Sequence, residues 1–191
     1  IYGTAADQDL LFVKASGNLT ENQYASLSYE KREEEGEFSA RPNWVVLEGA
    51  ALYPSEAERD TLVANYRLDY SAMVYLEATA YNTSSSFRGG RFDWLANIDT
   101  YGFDIRNTSE TTNHVFTYGV DYRNDEVESG PAEGAVENAE EGSVLGVYAQ
   151  AHSAINPELT LSYGVRFDDY DFQQDILLDE YYGDPVTDEP S

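Results

Sequence analysis

The sequence predicts an all-β fold: an antiparallel up-and-down meander of about eight strands that forms a segment of a transmembrane β-barrel. Three observations carry this prediction. Apolar and polar residues alternate with a period of two in one segment after another, which is typical of strands with two different faces. Short turns alternate with long polar loops along the chain. No apolar run approaches the roughly 20 residues that a membrane helix needs.

The clearest alternation lies at 158–170, which we predict as the last strand. Leu161, Val165 and Phe167 share one apolar face, while Arg166 and Asp168 belong to the opposite, polar face. In a soluble sandwich the apolar face would point into a core. In an outer-membrane barrel it points to lipid, and the polar face lines a wet interior. The remaining strands decide between these two interpretations.

The first four strands are predicted at 10–16, 22–32, 61–70 and 72–82. Each places an apolar row opposite a polar row, as a half-buried strand requires. The apolar rows are Leu11, Val13 and Ala15; Ala25, Leu27 and Tyr29; Leu62, Ala64, Tyr66 and Leu68; and Val74, Leu76, Ala78 and Ala80.

The next three strands are predicted at 98–109, 113–123 and 144–153. Their apolar rows continue the same pattern, with Tyr101, Phe103 and Ile105 in the fifth strand and Phe116, Tyr118, Val120 and Tyr122 in the sixth. Charged residues within the strands fall mostly on the polar rows. An arginine or lysine facing lipid at the midplane would cost about 2–4 kcal/mol, so this placement favours a membrane wall over a soluble sheet.

Connection lengths favour the same conclusion. Short turns are expected near 17–21, 70–71, 110–112 and 153–158. Long loops are expected at 33–60, 83–97 and 124–143, the first with a helical turn at Ser55–Arg59. Short turns on the periplasmic rim and long loops outside the cell are typical of bacterial outer-membrane barrels. This arrangement would put both ends of the chain on the extracellular side, so we expect part of a larger barrel.

Three phrases resemble consecutive barrel strands of TonB-dependent outer-membrane receptors, most of all the haem and ferric-siderophore branch. They are TYGFDIRNTSE at 100–110, HVFTYGVDYRNDE at 114–126 and VLGVYAQAHSAINPELTLSYGVRFDDYDF at 144–172. The resemblance implies a barrel of about 22 strands closed by an N-terminal plug domain. It also implies import of a scarce iron complex, a siderophore or haem, through the outer membrane of a Gram-negative bacterium. An inner-membrane energy-coupling protein would act through the plug. This sequence shows no plug and too few strands for the whole barrel, so the expectation covers the barrel portion alone.

Arginines beside aromatic residues are the candidate ligand contacts. In the phrase SFRGGRFDW, Arg88 and Arg91 lie close to Trp94, and an earlier loop holds Arg41 and Trp44. Such residues could hold an anionic ferric chelate by bidentate hydrogen bonds and cation–π contacts. The alternative is that the arginines pair with neighbouring carboxylates and anchor the loop at the membrane interface.

Acidic residues near the end of the last strand are candidates for calcium binding through oxygen. These are Asp168, Asp169, Asp171 and Asp175. Their spacing is not the ordered spacing of a dedicated calcium loop, so solvated charge is the alternative. The same charge could bridge to lipopolysaccharide through divalent ions, beside the outer-membrane lipid that the apolar face would contact. No other cofactor is expected.

Charge and motifs exclude several function classes. The formal net charge of −25 repels nucleic acid, and the absence of cysteine removes disulfides and thiolate metal sites. The sequence has no GxSxG, HExxH or phosphate-binding glycine loop, so we expect no enzyme. The two histidines, His114 and His152, lie beside the short turns, away from the rim where a ligand would be captured.

Two further interpretations remain open. Eight strands suffice for a free-standing barrel that acts as a membrane anchor or adhesin. Alternatively, a secreted β-protein could assemble through its open sheet edges. Detergent dependence and concentration-dependent polymerisation would distinguish these two from a receptor segment.

Overall fold

Eight antiparallel strands follow one another across a single sheet, each paired with its neighbours in the chain. The computed structural model describes residues 6–39, 48–134 and 136–176. The strands are β1 (Ala6–Thr20), β2 (Gln23–Phe38), β3 (Tyr53–Ser71), β4 (Val74–Gly89), β5 (Trp94–Glu110), β6 (His114–Pro131), β7 (Asn138–Asn156) and β8 (Leu159–Ile176). The predicted eight-stranded meander is therefore confirmed. β1 and β8 form opposite edges of the sheet, so the described residues make an open wall and not a closed eight-stranded barrel.

The pairing register assigns every strand residue to one of two faces. Directly paired residues point to the same side of a sheet, and the registers run without interruption apart from shifts at Asn18/Thr20, Asp69/Ser71 and Ala154/Asn156. These shifts all lie beside short turns, so each face keeps its identity from β1 to β8. We call the face that carries Val165 the outer face and the face that carries Arg166 the inner face.

The outer face carries an apolar band along the strand halves next to the short turns. Its members are Val13, Ala15, Ala25, Leu27, Tyr29, Leu62, Ala64, Tyr66, Leu68, Leu76, Ala78, Ala80, Tyr101, Phe103, Ile105, Phe116, Tyr118, Val120, Tyr122, Leu145, Val147, Ala149, Ala151, Leu161, Tyr163, Val165 and Phe167. Val165 and Phe167 are 71% and 70% exposed. Among the described residues, Ala151 is the one buried apolar side chain. A stable soluble domain packs such a surface against a second layer, whereas an apolar outer face left open in this way is typical of a barrel wall that contacts lipid.

The inner face opposite this band is polar and held together by ion pairs that cross several strands. Arg166 on β8 makes a bidentate pair with Asp121 on β6, with nitrogen–oxygen distances of 2.7 and 2.9 Å. On the same face, Arg106 Nε donates to Glu77 at 3.0 Å. In the strand halves next to the short turns, the charged residues thus point away from the apolar band and face the side where a barrel holds water.

The predicted loops are mostly strand, and this part of the prediction was wrong. β2 continues to Phe38 and β3 begins at Tyr53, so the expected helical turn at Ser55–Arg59 is extended strand. The expected loops 83–97 and 124–143 also contain long strand extensions. The described residues between the strands on this rim are 39, 48–52, 90–93, 132–134, 136 and 137.

The reason is that these extensions rise beyond the apolar band. The sequence there lacks the apolar outer row that identifies the strands elsewhere, yet the backbone still pairs with its neighbours. Cross-strand ion pairs such as Lys31 with Glu58 at 2.7 Å add to the pairing. The described residues contain no helix of the length and hydropathy needed to cross a bilayer.

Candidate functional site

The inner face changes character in the strand extensions near the long connections. Toward the short turns the inner face is charged. Toward the long connections it becomes apolar and aromatic from β2 to β6. The residues of this upper shelf, as we call it, are Phe38, Tyr53, Ala57, Phe87, Trp94, Ala96, Ile98 and Val127. An apolar surface on the face opposite the apolar band is not explained by lipid contact, so it is a candidate binding surface.

An aromatic cleft of about 440 Å³ opens on this shelf. Phe38 from β2, Phe87 from β4 and Trp94 from β5 line it, and Phe92 contributes from the turn between β4 and β5. Most of the surface that lines the cleft is apolar. Concave, mainly apolar pockets with a few polar groups are the usual form of a small-molecule site, which makes this cleft the candidate site.

Close backbone packing forms the floor of the cleft. Gly89 on β4 pairs with Ser55 on β3, and a Cβ added at Gly89 would lie 2.8 Å from the Ser55 Cα. Ser55 is 5% exposed. No side chain fits at position 89 against Ser55, so glycine is required there.

The four-residue turn after β4 is held in place by its own hydrogen bonds. Gly90 and Asp93 have φ of 82° and 48°, and the Asp93 N–H donates to the Gly90 carbonyl at 3.3 Å. Arg88 Nε and Nη2 donate to the two carboxylate oxygens of Asp93 at 2.8 and 2.6 Å. This bidentate pair holds the pKa of the Asp93 carboxyl below its usual range. The turn therefore presents Arg91 and Phe92 from a defined position.

Arg91 is differently placed from Arg88. Its guanidinium lies over the Phe92 ring, 5.4 Å from the centroid, and it lines the cleft. Within the described part of the chain it has no carboxylate at ion-pair distance. Arg91 is therefore open to a ligand, whereas Arg88 is engaged in the turn.

A second, smaller cleft of about 280 Å³ adjoins the first and shares Glu34, Ala57 and Phe87 with it. Arg32 and Arg59, cross-strand neighbours on the inner face, also line it. Their guanidinium groups are paired, Arg32 with Glu34 at 2.8 Å and Arg59 with Glu30 at 2.9 Å. The two clefts together form one continuous groove along the upper shelf.

The structure brings together only some of the predicted site residues. Arg91 and Trp94 both line the aromatic cleft, and Arg88 stabilises the turn beside it. Arg41 and Trp44 lie outside the described residues. Phe38 was missing from the predicted set, although its signal was available, because extending the alternation of β2 past Arg32 puts positions 34, 36 and 38 on the same inner face.

The four predicted calcium ligands divide between the two faces of β8. Asp168 points inward and accepts from Arg166 Nε at 2.7 Å, while the other three lie on the outer face with Val165. Among the residues that the structure describes, no group of three or more His, Asp or Glu side chains is arranged to hold a metal ion.

The two histidines lie at the short-turn end, as predicted. His114 Nδ1 is 2.8 Å from Ser153 Oγ on the outer face, and His152 Nδ1 is 2.7 Å from Ser162 Oγ on the inner face. Both are separated from the aromatic cleft by the length of the strands.

Comparisons with known proteins agree with this geometry. The family described as TonB dependent receptor-like, beta-barrel matches residues 3–186. The FrpB iron transporter from Neisseria meningitidis (F3-3 variant) is structurally similar, with a TM-score of 0.77 and 16% identity over 88% of this chain and 31% of that one. The alcaligin outer-membrane receptor FauA from Bordetella pertussis gives a TM-score of 0.66 and 14% identity, over 90% of this chain and 29% of that one. This chain thus spans about a third of the length of these structures. No curated protein matches the sequence.

Proposed function

Because this chain belongs to the TonB-dependent receptor-like β-barrel family, we propose that it forms part of the wall of an outer-membrane receptor that binds and imports an iron complex, either a siderophore or haem. The proposed location is the outer membrane of a Gram-negative bacterium. The apolar band would contact lipid, and the inner face would line the transport lumen. Transport of this kind is gated binding, so no catalytic residue is assigned.

The aromatic cleft is the observation that carries this proposal. It lies on the inner face at the end of the wall with the long connections, which is the extracellular end in barrels of this type. A ligand arriving from outside would meet the cleft before it reaches the charged part of the inner face, which lies nearer the short turns. Arg91 and Trp94 are the proposed ligand contacts from the predicted set, together with Phe38 and Phe87.

The proposed location of the receptor in the outer membrane suggests its partners. Import against a gradient needs energy, which we propose comes from an inner-membrane coupling protein acting through a plug domain of the whole receptor. Lipopolysaccharide is the proposed neighbour of the outer face above the apolar band, where acidic residues such as Glu126, Glu128 and Asp171 lie on the same face of the sheet.

An uptake assay tests the proposal. Cells that have this receptor as their one route for an iron complex are given that complex with radiolabelled iron, and the iron they take up is measured. Trp94→Ala combined with Phe87→Ala removes two walls of the cleft, and we expect uptake to fall at least about tenfold, because each ring buries a large apolar area against a ligand. Phe167→Ala removes an aromatic ring from the outer face and is the matched control. Equal uptake by the double variant and the control, at equal receptor levels in the membrane, would refute a role for the cleft.

A further inference from the structure

The arginines around the groove differ in whether a carboxylate already holds them. Arg32, Arg59 and Arg88 are each in an ion pair, with nitrogen–oxygen distances of 2.8, 2.9 and 2.6 Å. Arg91 lines the aromatic cleft and has no carboxylate at ion-pair distance in the described part of the chain. The cleft therefore presents a single uncompensated cation.

The two glutamates that line the cleft do not cancel this charge. Glu34 lies on the inner face, and its carboxylate accepts from Arg32 at 2.8 Å. Glu56 is paired in register with Arg88, and both residues belong to the outer face of the sheet. Glu56 thus borders the cleft without directing its carboxylate toward the aromatic rings.

The position of the Arg91 side chain leaves its donors usable. The central carbon of its guanidinium lies over the Phe92 ring, 5.4 Å from the centroid. The N–H donors of an arginine point outward in the plane of the guanidinium, and they can bind a carboxylate by two parallel hydrogen bonds. Arg91 can therefore stack on Phe92 and hold one anionic group at the same time.

The outer face limits how much negative charge a ligand can carry. Its strand extensions form an acidic collar of Asp9, Glu33, Glu35, Glu56, Glu58, Asp60, Asp99, Glu126, Glu128, Glu141, Asp169, Asp171 and Asp175. A field of one sign repels ligands of the same sign, and this repulsion grows with the charge of the ligand. The collar lies across the sheet from the cleft and is screened over about 8 Å at physiological salt, so direct contact with Arg91 decides the binding of one group, favouring an anion over a cation. Each further anionic group adds repulsion from the collar without a second arginine to offset it.

We propose that the cleft selects ferric chelates that carry one anionic group on an apolar arm, and disfavours both cationic and polyanionic chelates. This inference rests on the proposed function, and it narrows the ligand from iron complexes in general to one charge class. Phe38, Phe87 and Trp94 would hold the apolar arm, and Arg91 would hold the anionic group at its end.

Three forms of one ferric trihydroxamate, which differ in the charge at their free end, test this inference in the whole receptor. The ferric complex of desferrioxamine B, a linear trihydroxamate, has a free ammonium group. N-acetylation removes that charge, and N-succinylation replaces it with a carboxylate. We expect the succinylated form to bind the detergent-solubilised receptor about three- to fivefold more tightly than the acetylated form, with an advantage that shrinks as salt is raised. The ammonium form and a ferric tris-catecholate should both bind more weakly than the succinylated form.

Variants that each remove one arginine show which residue causes the preference for the succinylated form. Arg91→Gln should abolish the preference for the succinylated form without changing the affinity for the acetylated form. Arg123→Gln also removes one arginine from the inner face, but Arg123 is paired with Asp125 at 2.7 Å outside the cleft. It is the matched control and should keep the preference, because a contact with Arg91 is local.

The outcomes separate the two proposals. Equal binding of the three trihydroxamate forms, or tightest binding of the ammonium form, would overturn charge selection and leave the receptor function intact. Charge selection also fails if the catecholate binds most tightly, or if Arg91→Gln keeps the preference. If none of the four probes binds, charge selection fails, whereas the uptake assay with the cleft variants decides the import function separately.

Discussion

Single glycines on the inner face let large side chains lie across a neighbouring strand. The Tyr148 hydroxyl on β7 donates to Asp104 on β5 at 3.0 Å, passing over Gly119 on β6. Arg166 on β8 reaches Asp121 on β6 by passing over Gly146 on β7 in the same way. Each crossing ties together three strands, which no contact between direct neighbours achieves.

Substitution at one of these glycines should break the arrangement. A Cβ at Gly119 would lie 2.6 Å from the Ile105 carbonyl oxygen and 2.8 Å from the Tyr148 hydroxyl. Because a backbone oxygen cannot move aside, we expect Gly119→Ala to destabilise the receptor by about 1–3 kcal/mol. Urea-induced unfolding in detergent measures this loss.

Gly17 provides the control for that prediction, since a Cβ there would have nothing within 4 Å. Gly17→Ala should be neutral or slightly stabilising, because alanine loses less backbone entropy than glycine on folding. Equal unfolding midpoints for the two variants would mean that glycine is not needed at position 119.

The strands as elements extend well beyond the apolar band. β2 and β3 remain paired as far as Phe38 and Tyr53, although β2 is rich in glutamate from position 30 to position 37. Its like charges repel, but Lys31 and Arg32 pair with carboxylates two residues further along the strand, at 2.7 and 2.8 Å, which offsets part of that repulsion. The strand thus persists where the sequence pattern predicts a loop.

Hydrogen exchange checks this extension directly. Because β2 is paired on both sides, its amides from Glu33 to Gly36 should exchange slowly, with protection close to that of Ser26 to Tyr29 in the apolar band. The connecting residues 48–50 serve as the fast-exchanging reference. If 33–36 exchanged as fast as 48–50, the extension would be a loop after all.

The molecule as a whole is a wall with two tiers of opposite polarity. In the lower tier the outer face is apolar and the inner face charged; in the upper tier the outer face is acidic and the inner face aromatic. The lower tier suits a sheet with lipid on one side and water on the other. The upper tier suits a sheet that has water on both sides and binds a ligand on its inner face.

Arginine substitutions on the outer face of β8 test where the two tiers meet. Val165→Arg would put a charge into the apolar band, and we expect a loss of folding stability of about 2–4 kcal/mol in a lipid bilayer. Gln173→Arg lies on the same face of the same strand, above the band, and should cost almost nothing. Refolding equilibria in lipid vesicles give both values. A similar cost at the two positions would mean that the band is not the lipid-facing surface.

The sequence by itself determined the number of strands, their order and the face of each residue in the lower tier. This was possible because side chains alternate with a strict period of two, and because lipid on one side and water on the other impose that period on the residue types. Arg91 in the turn after β4 and Trp94 at the start of β5 were found for a similarly local reason, since they are neighbours in the chain.

Only the tertiary structure decided the upper tier. The extensions lack the apolar outer row that marks the lower tier, and their strand state comes from pairing with neighbours that are distant in sequence. Strand pairing puts Phe38 of β2 and Trp94 of β5 in the lining of one cleft. The fold of the turn also pairs Arg88 with Asp93 and leaves Arg91 open, a distinction between two arginines that depends on the path of the backbone and not on residue type.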